Sequence, residues 1–294
     1  MHNALLTLLR CPLCSASKLQ ASITRSRGMH ILEGELQCPG CGTTYPILEG
    51  IPDMLPPLDR DSHLHRSWTQ GGQWLMEQRW FSRLYERVLR PILIGALAGS
   101  PSWLTQEGEF LMDLPAIGPD EVVLDVGCGP GRFTRLLADH TQARHVIGVD
   151  LSRPMLIQNT RRNEEERLSD RISLVRADVD HLPFTDRAFG AVNCFTAFHL
   201  FPDLDRAVSE MARVLRAGHR LTIMALVRPD ARWGAALAYL SQRLSHMTLM
   251  SVEDIRRVLW RHRIATMQEE QHGLAVLISA VVAEPSRRSM ALEG

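Results

Sequence analysis

The stretch Leu124-Asp125-Val126-Gly127-Cys128-Gly129-Pro130-Gly131-Arg132 decides how this chain folds. Just before it, Val122, Val123, Leu124 and Val126 make a short apolar run, the filling of a strand buried on both faces of a parallel sheet. The run then breaks into glycines at every second position. Gly127, Gly129 and Gly131 let the backbone turn sharply and let a ligand approach it closely. A helix expected over 132–139 points its first N–H groups at that ligand. The prediction is a nucleotide-type pocket at the carboxyl end of a strand.

Spacing narrows the ligand. A dinucleotide fingerprint needs G-x-G-x-x-G, whereas here the third glycine comes one residue early and Asp125 sits inside the strand. Further along, a strand over 145–149 ends in Asp150, placed to accept hydrogen bonds from both hydroxyls of a ribose. A third strand, over 172–175, leads to Ala177-Asp178-Val179 and a third acid.

Four segments in this order resemble the class I S-adenosylmethionine (SAM) dependent methyltransferases over residues 105–283. They are D-V-G-C-G-P-G (125–131), G-V-D-L-S (148–152), A-D-V-D-H-L-P-F (177–184) and F-G-A-V-N-C-F-T-A-F-H-L-F-P-D (189–203). The resemblance implies an α/β fold with a Rossmann-like seven-stranded sheet and SAM as cofactor. It implies Asp150 on the ribose, Asp178 on the adenine amino group, Gly127 and Gly129 leaving room for the methionine part, and Asp125 fixing the loop and the cofactor's ammonium. Cys128, Gly131, Leu151, Met155, Ala177, Val179 and Cys194 complete the expected cofactor set, although Cys128 and Cys194 also read as small buried hydrophobes.

A chain of 294 residues suggests two domains, and 45% hydrophobic with 22% charged residues is an ordinary globular composition. Thirty-three basic residues balance thirty-three acidic ones, without the concentrated positive charge that phosphate contacts need, so a nucleic-acid substrate is disfavoured. No apolar run reaches the ~18 to 20 residues that cross a bilayer, and a cytoplasmic location is the expectation.

Four of the six cysteines form two pairs, Cys11-Pro12-Leu13-Cys14 and Cys38-Pro39-Gly40-Cys41. Each pair presents two thiolates from one tight turn, and four thiolates close a structural Zn²⁺ site with no open position. A redox dithiol, or a ribbon that has lost its metal, is the alternative. The first sixty residues have little core of their own, which gives a metal a stabilising role. With Thr43-Thr44-Tyr45-Pro46-Ile47-Leu48-Glu49-Gly50-Ile51-Pro52-Asp53-Met54-Leu55, the knuckles resemble the small zinc-ribbon activator of tRNA, rRNA and release-factor methyltransferases, here fused to its client. Five basic residues against five acidic ones in 1–60 leave this ribbon without the charge expected of an RNA grip.

Residues 61–104 read as a linker and a helical lid, with Leu75, Trp80, Leu84, Val88, Ile92 and Leu93 at helical spacing. In the resembling enzymes such a segment covers the SAM pocket, so Trp80, Phe81 and Tyr85 either face substrate or pack. After the core motifs, Asp203 caps a helix whose face carries Leu204, Ala207, Val208, Met211 and Leu215 as far as Gly218. A strand follows over 220–225, then an insertion over 227–250 with Trp233, and a helix capped by Ser251-Val252-Glu253-Asp254. A hairpin near 264–268 and 274–283 closes the sheet, and 284–294 form a flexible tail.

Methyl transfer needs alignment more than a protein nucleophile, and it needs a base only where the acceptor keeps its proton. His199 is the candidate base, with a positioning or structural role as the alternative. Its loop, Phe198-His199-Leu200-Phe201-Pro202-Asp203, resembles the L-H-H-F-P-D of quinone-biosynthesis C-methyltransferases, with Leu200 in place of the second histidine. The ribbon-plus-core arrangement resembles plastid-targeted plant methyltransferases. The leading expectation is a small-molecule acceptor, aromatic, prenyl or polyketide-like, methylated at carbon or oxygen, by a chain that could form a homo-oligomer. An rRNA guanine methyltransferase and a noncatalytic SAM-binding regulator are the alternatives.

Overall fold

The computed structural model describes residues 1–57, 117–229, 234–245 and 247–283. The linker and lid expected over 61–104, Trp233 and the tail lie outside the described residues.

The amino-terminal part is a four-stranded antiparallel sheet of β1 (Gln20–Arg27), β2 (His30–Gln37), β3 (Thr44–Leu48) and β4 (Ile51–Pro52), in that order. The larger sheet has seven strands: β5 (Val122–Val126), β6 (His145–Asp150), β7 (Ile172–Arg176), β8 (Phe189–Phe195), β9 (Leu215–Leu226), β10 (Ile264–His272) and β11 (Ala275–Val282). Their order is β10-β11-β9-β8-β5-β6-β7, with β11 antiparallel to both of its neighbours. β5 and β8 lie at the centre and are buried along their whole length, as the unbroken apolar runs require.

Helices cover both faces. Phe133, Leu137 and Ala138 of α1 (Arg132–His140) and Leu156 of α2 (Arg153–Glu165) pack with Val123, Val146 and Leu174. On the other face, Val208 and Met211 of α3 (Leu204–Val214) pack with Leu124, Val192 and Ile223. α4 (Gly234–Ser245) falls within the expected insertion. α5 (Val252–Arg261) starts at a reciprocal Ser251–Asp254 capping box and buries Ile255, Val258 and Leu259.

One expectation is corrected and one element was not foreseen. α3 does not run to Gly218: it ends at Val214, and Leu215 already pairs with Phe189 as the first residue of β9. Burying Leu215 against β8 outweighs another half turn of helix, and Gly218, at φ +75°, sits in the irregularity that follows. The sequence also gave no warning of β1. All eight of its residues are exposed, so it has no apolar alternation to read.

The ribbon and the large sheet share one core. Leu5, Leu9, Ile31, Leu36, Tyr45, Ile47 and Met54 are buried in the same cluster as Val175, Leu182 and Phe184. Beyond β4, Asp53 makes a parallel bridge to Arg176, and Met54 N–H donates to Arg176 O, so the ribbon covers the outer edge of β7. An unpaired edge would otherwise invite intermolecular strand pairing. Leu9 bridges Phe184, Arg10 N–H donates to Pro183 O, and His2 N–H donates to Ser173 Oγ.

The seam also holds three imidazoles. The His2 ring lies 5.5 Å from that of His30 and 5.4 Å from that of His145. His145 is 8% exposed, with Nε2 2.8 Å from Ser173 Oγ. Burial first, then repulsion from His2 and His30, lowers its pKa from 6.5 to about 4. The unfolded chain therefore binds a proton that the folded one refuses between those values. His145 contributes its full stabilisation above pH 6.5 and loses it progressively as the pH falls to about 4, a change of about 3 kcal/mol. Denaturant melts from pH 7.5 to 4.5 should show this loss, and it should shrink in His145→Gln. An unchanged slope in the variant would remove His145 as the cause.

Candidate functional site

The site is built on the carboxyl ends of β5, β6, β7 and β8. Gly127 and Cys128 both donate their N–H to Val149 O, at 2.8 and 3.0 Å, stitching the glycine turn to β6. A side chain at Gly127 would collide with Ala197, so the glycine lets the loop after β8 pack against the turn. Gly129 is different. It has φ +51° and nothing within 4 Å of where a Cβ would stand, so its backbone is open to a ligand. Gly131 precedes α1 and lies against Asn159.

Asp150 ends β6. Its Oδ2 accepts Gly129 N–H at 2.8 Å and its Oδ1 accepts Ser152 N–H at 2.8 Å. A carboxylate has about four lone-pair sites, so each oxygen retains one for a ribose hydroxyl. Burial raises the pKa of Asp150, while the two N–H donors and nearby Arg176 act in the opposite direction. Asp178 caps the 3-10 turn Val179–His181, its Oδ1 accepting Asp180 N–H at 3.0 Å. Of the other expected cofactor residues, Met155, Ala177 and Val179 are buried and Leu151 is half-buried.

Three residues of the expected cofactor set are buried, the two cysteines as their reading as small hydrophobes allows. Asp125 is 1% exposed and accepts the Thr134 hydroxyl at 2.6 Å; it anchors α1 beneath the loop, and burial pushes its pKa up to about 7. Cys128 packs behind the turn, its Sγ 3.7 Å from Asn159 Nδ2, and Cys194 is enclosed within β8. Burial pushes both thiols well above their ordinary pKa, so they remain neutral.

His199 lies in the 3-10 turn Phe198–Leu200 and is 6% exposed. Its Nδ1 accepts Leu226 N–H at 3.3 Å, and its carbonyl accepts Thr248 N–H at 2.8 Å. Burial lowers its pKa to about 4. A neutral ring accepting at Nδ1 carries its proton on Nε2, which makes it a donor at neutral pH. This geometry favours the positioning role over the base.

Sequence reasoning missed two residues that shape the loops. Asn159 is fully buried on α2 and donates from Nδ2 to Gly129 O at 3.5 Å. An amide on the apolar face with Met155 and Leu156 was the available signal. Thr196, at φ +59°, is β-branched in the left-handed region directly after β8, next to Ala197. Such strain clusters at functional sites.

In the ribbon, the Sγ atoms of Cys11, Cys14, Cys38 and Cys41 all lie within 4.8 Å of one another. Cys11–Cys41 is 3.7 Å and Cys14–Cys38 is 3.4 Å. A tetrahedron with ~2.3 Å Zn–S bonds has edges of roughly 3.8 Å, so the donor set fits. The same turn is used twice: Cys11 N–H donates to Ala16 O and Ser15 N–H to Cys11 O, while Cys38 N–H donates to Thr43 O and Gly42 N–H to Cys38 O. Buried Tyr45 places its hydroxyl 3.2 Å from Cys11 Sγ, where it can support a thiolate. No described helix is long and apolar enough to cross a membrane.

Residues 123–218 match the family model of a methyltransferase domain, and residues 2–50 match that of Trm112p-like proteins. The demethylmenaquinone methyltransferase of Bacteroides fragilis is 37% identical over 108 residues, 37% of this chain and 44% of the relative. A chloroplastic methyltransferase of Arabidopsis thaliana is 30% identical over 227 residues, 72% of this chain and 59% of the relative. The chain thus spans about half the length of the curated relatives it matches. The solved geranyl diphosphate C-methyltransferase of Streptomyces coelicolor A3(2) superposes with a TM-score of 0.54 at 21% identity, over 61% of this chain and 79% of that one, a likeness of fold. The sheet order, the glycine turn and both family matches agree: this chain joins a class I methyltransferase domain to an N-terminal Trm112p-like ribbon.

Proposed function

We propose that the chain is a SAM-dependent methyltransferase acting at carbon or oxygen of a small aromatic, prenyl or polyketide-like acceptor, with a structural Zn²⁺ held by Cys11, Cys14, Cys38 and Cys41. The observation that carries the cofactor assignment is the open backbone at Gly129 beside an Asp150 carboxylate with acceptor capacity on both oxygens. The acceptor class rests on the loop at 196–203 and on the relatives, and the balanced charge argues against RNA.

When bound, SAM supplies an activated methyl group for in-line displacement. Asp150 holds the ribose, and Asp178 accepts from the adenine amino group. Leu151, Met155, Ala177 and Val179 exclude water from the nucleoside, while Asp125 and Asn159 hold the turn in shape. His199 fixes the loop after β8 to β9, and its Nε2–H is a donor for orienting the acceptor. An acceptor that must lose a proton therefore brings its own acidity, because a ring with pKa about 4 is a weak base.

Calorimetry with S-adenosylhomocysteine tests the cofactor site directly. Asp150→Ala removes two charge-assisted contacts and should weaken binding about 100-fold, close to 3 kcal/mol, with Asp178→Ala costing about tenfold. Equal affinity in wild type and both variants would overturn the assignment. For His199, kcat/KM should show no enzymic ionisation near pH 6.5; a limb there that disappears in His199→Gln would restore the base.

A further inference from the structure

A cavity of about 220 Å³ along β8 and β9 is lined by Ile117, Glu121, Ala191, Asn193, Arg220 and Thr222, together with His219. Its floor belongs to an unusual row. Asp125, Asn193, Thr222 and Ser279 are register neighbours across β5, β8, β9 and β11, and each is 1% exposed. Aliphatic residues fill most of the rest of this face. Asp125 is satisfied by Thr134. Asn193 is not: neither its Nδ2 nor its Oδ1 has a hydrogen-bond partner among the described residues. Burying such a group unpaired costs about 1–3 kcal/mol, so a sheet interior that keeps an amide here calls for a ligand or water to meet it.

The charges around the cavity separate those two occupants. Glu121 is shared between His219 Nε2 at 3.1 Å and Arg216 at 3.5 Å. Arg220 donates to Ser279 Oγ at 3.1 Å and pairs with no carboxylate among the described residues. Among the lining residues the one acid, Glu121, is thus already engaged, and the Arg220 guanidinium is left without a carboxylate among the described residues. Water would satisfy the amide and leave the guanidinium without one. An anion would correct both.

The geometry points to a second small-molecule site, for an organic carboxylate that carries a hydroxyl or amino group beside its carboxylate. Arg220 receives the carboxylate, and Asn193 offers a donor and an acceptor to the neighbouring group. The volume equals that of roughly seven waters, which suits a ligand of about six to eight non-hydrogen atoms. Asn193 lies on β8, beside Asp125 in register and three residues before Thr196, so occupancy would bear on the strand that leads into the methyl-facing loop. The proposal does not depend on the cofactor assignment.

Lactate is the probe, tested on the full zinc-loaded chain by thermal melts and calorimetry, with acetate and chloride as controls. Lactate should bind saturably, at least tenfold more tightly than acetate, and chloride should give no saturation. Arg220→Gln should weaken lactate binding at least tenfold. Asn193→Leu should abolish it while leaving S-adenosylhomocysteine affinity unchanged, since replacing an unpaired amide by an apolar group of similar size is tolerated. If Asn193→Leu does not fold, Thr222→Val is read in its place. No saturable lactate effect in the wild type means a hydrated cavity only and overturns the proposal. So does a lactate effect that survives both the Arg220 and the cavity-floor variants.

Discussion

Cys38→Ser, or stripping the ribbon with a chelator, is expected to unfold the methyltransferase core together with the ribbon in one transition. Zinc binding to a four-thiolate ribbon is worth about 10–16 kcal/mol in apparent terms, against a net stability of about 5–15 kcal/mol for a whole domain. At the metal end the ribbon depends on the site, since Cys11 and Cys38 are buried there with Tyr45 and the neighbouring β1 is exposed throughout. Its loss would not stay local. Leu9, Leu36, Ile47 and Met54 share a cluster with Val175, Leu182 and Phe184, and the outer edge of β7 would be laid open. Metal content, a thermal melt and S-adenosylhomocysteine binding on one sample decide it. Zinc-free protein with an unchanged melting temperature and unchanged affinity would show that the ribbon is an independent module.

The parts that were legible in the sequence are those with local chemistry. The glycine turn, the acids at three strand ends, the Asp203 and Ser251 caps and the paired knuckles each announce themselves within a few residues, because turns, caps and metal turns are local events. What stayed hidden depends on distant neighbours. Asp53 reads as a polar residue at a strand end until Arg176, 123 positions away, comes to lie 2.9 Å from it. Leu215 belongs to a helix by its periodicity and to a strand by its partner Phe189. His199 looks titratable until its burial is known, and the orphaned amide of Asn193 is visible only once the sheet is assembled. The ribbon was readable as a module, whereas its docking was not, since no interface residue carries a motif.

That docking makes a demand on the cofactor site. Arg176 closes β7 as the register neighbour of Asp150, donates from Nε to Leu151 O at 3.0 Å, and donates from Nη1 to Asp53 Oδ2 at 2.9 Å. The pair is little exposed, 15% for the Arg176 side chain and 9% for that of Asp53. The ribbon thereby holds the backbone beside the ribose-binding acid through one guanidinium. Asp53→Ala leaves that guanidinium buried without its carboxylate, which should cost about 3–5 kcal/mol of stability. Arg176 would then be free to leave Leu151, and S-adenosylhomocysteine affinity should fall with stability while zinc content stays constant. The double variant Asp53→Ala/Arg176→Met removes both charges and should recover much of the stability but not the affinity, because Leu151 O still lacks its donor. Urea melts and calorimetry on the four proteins of this cycle separate the two effects. A cost below about 1 kcal/mol in Asp53→Ala would reduce the pair to a surface ion pair. Affinity that recovers fully with stability would show that the ribbon acts on the pocket through folding alone.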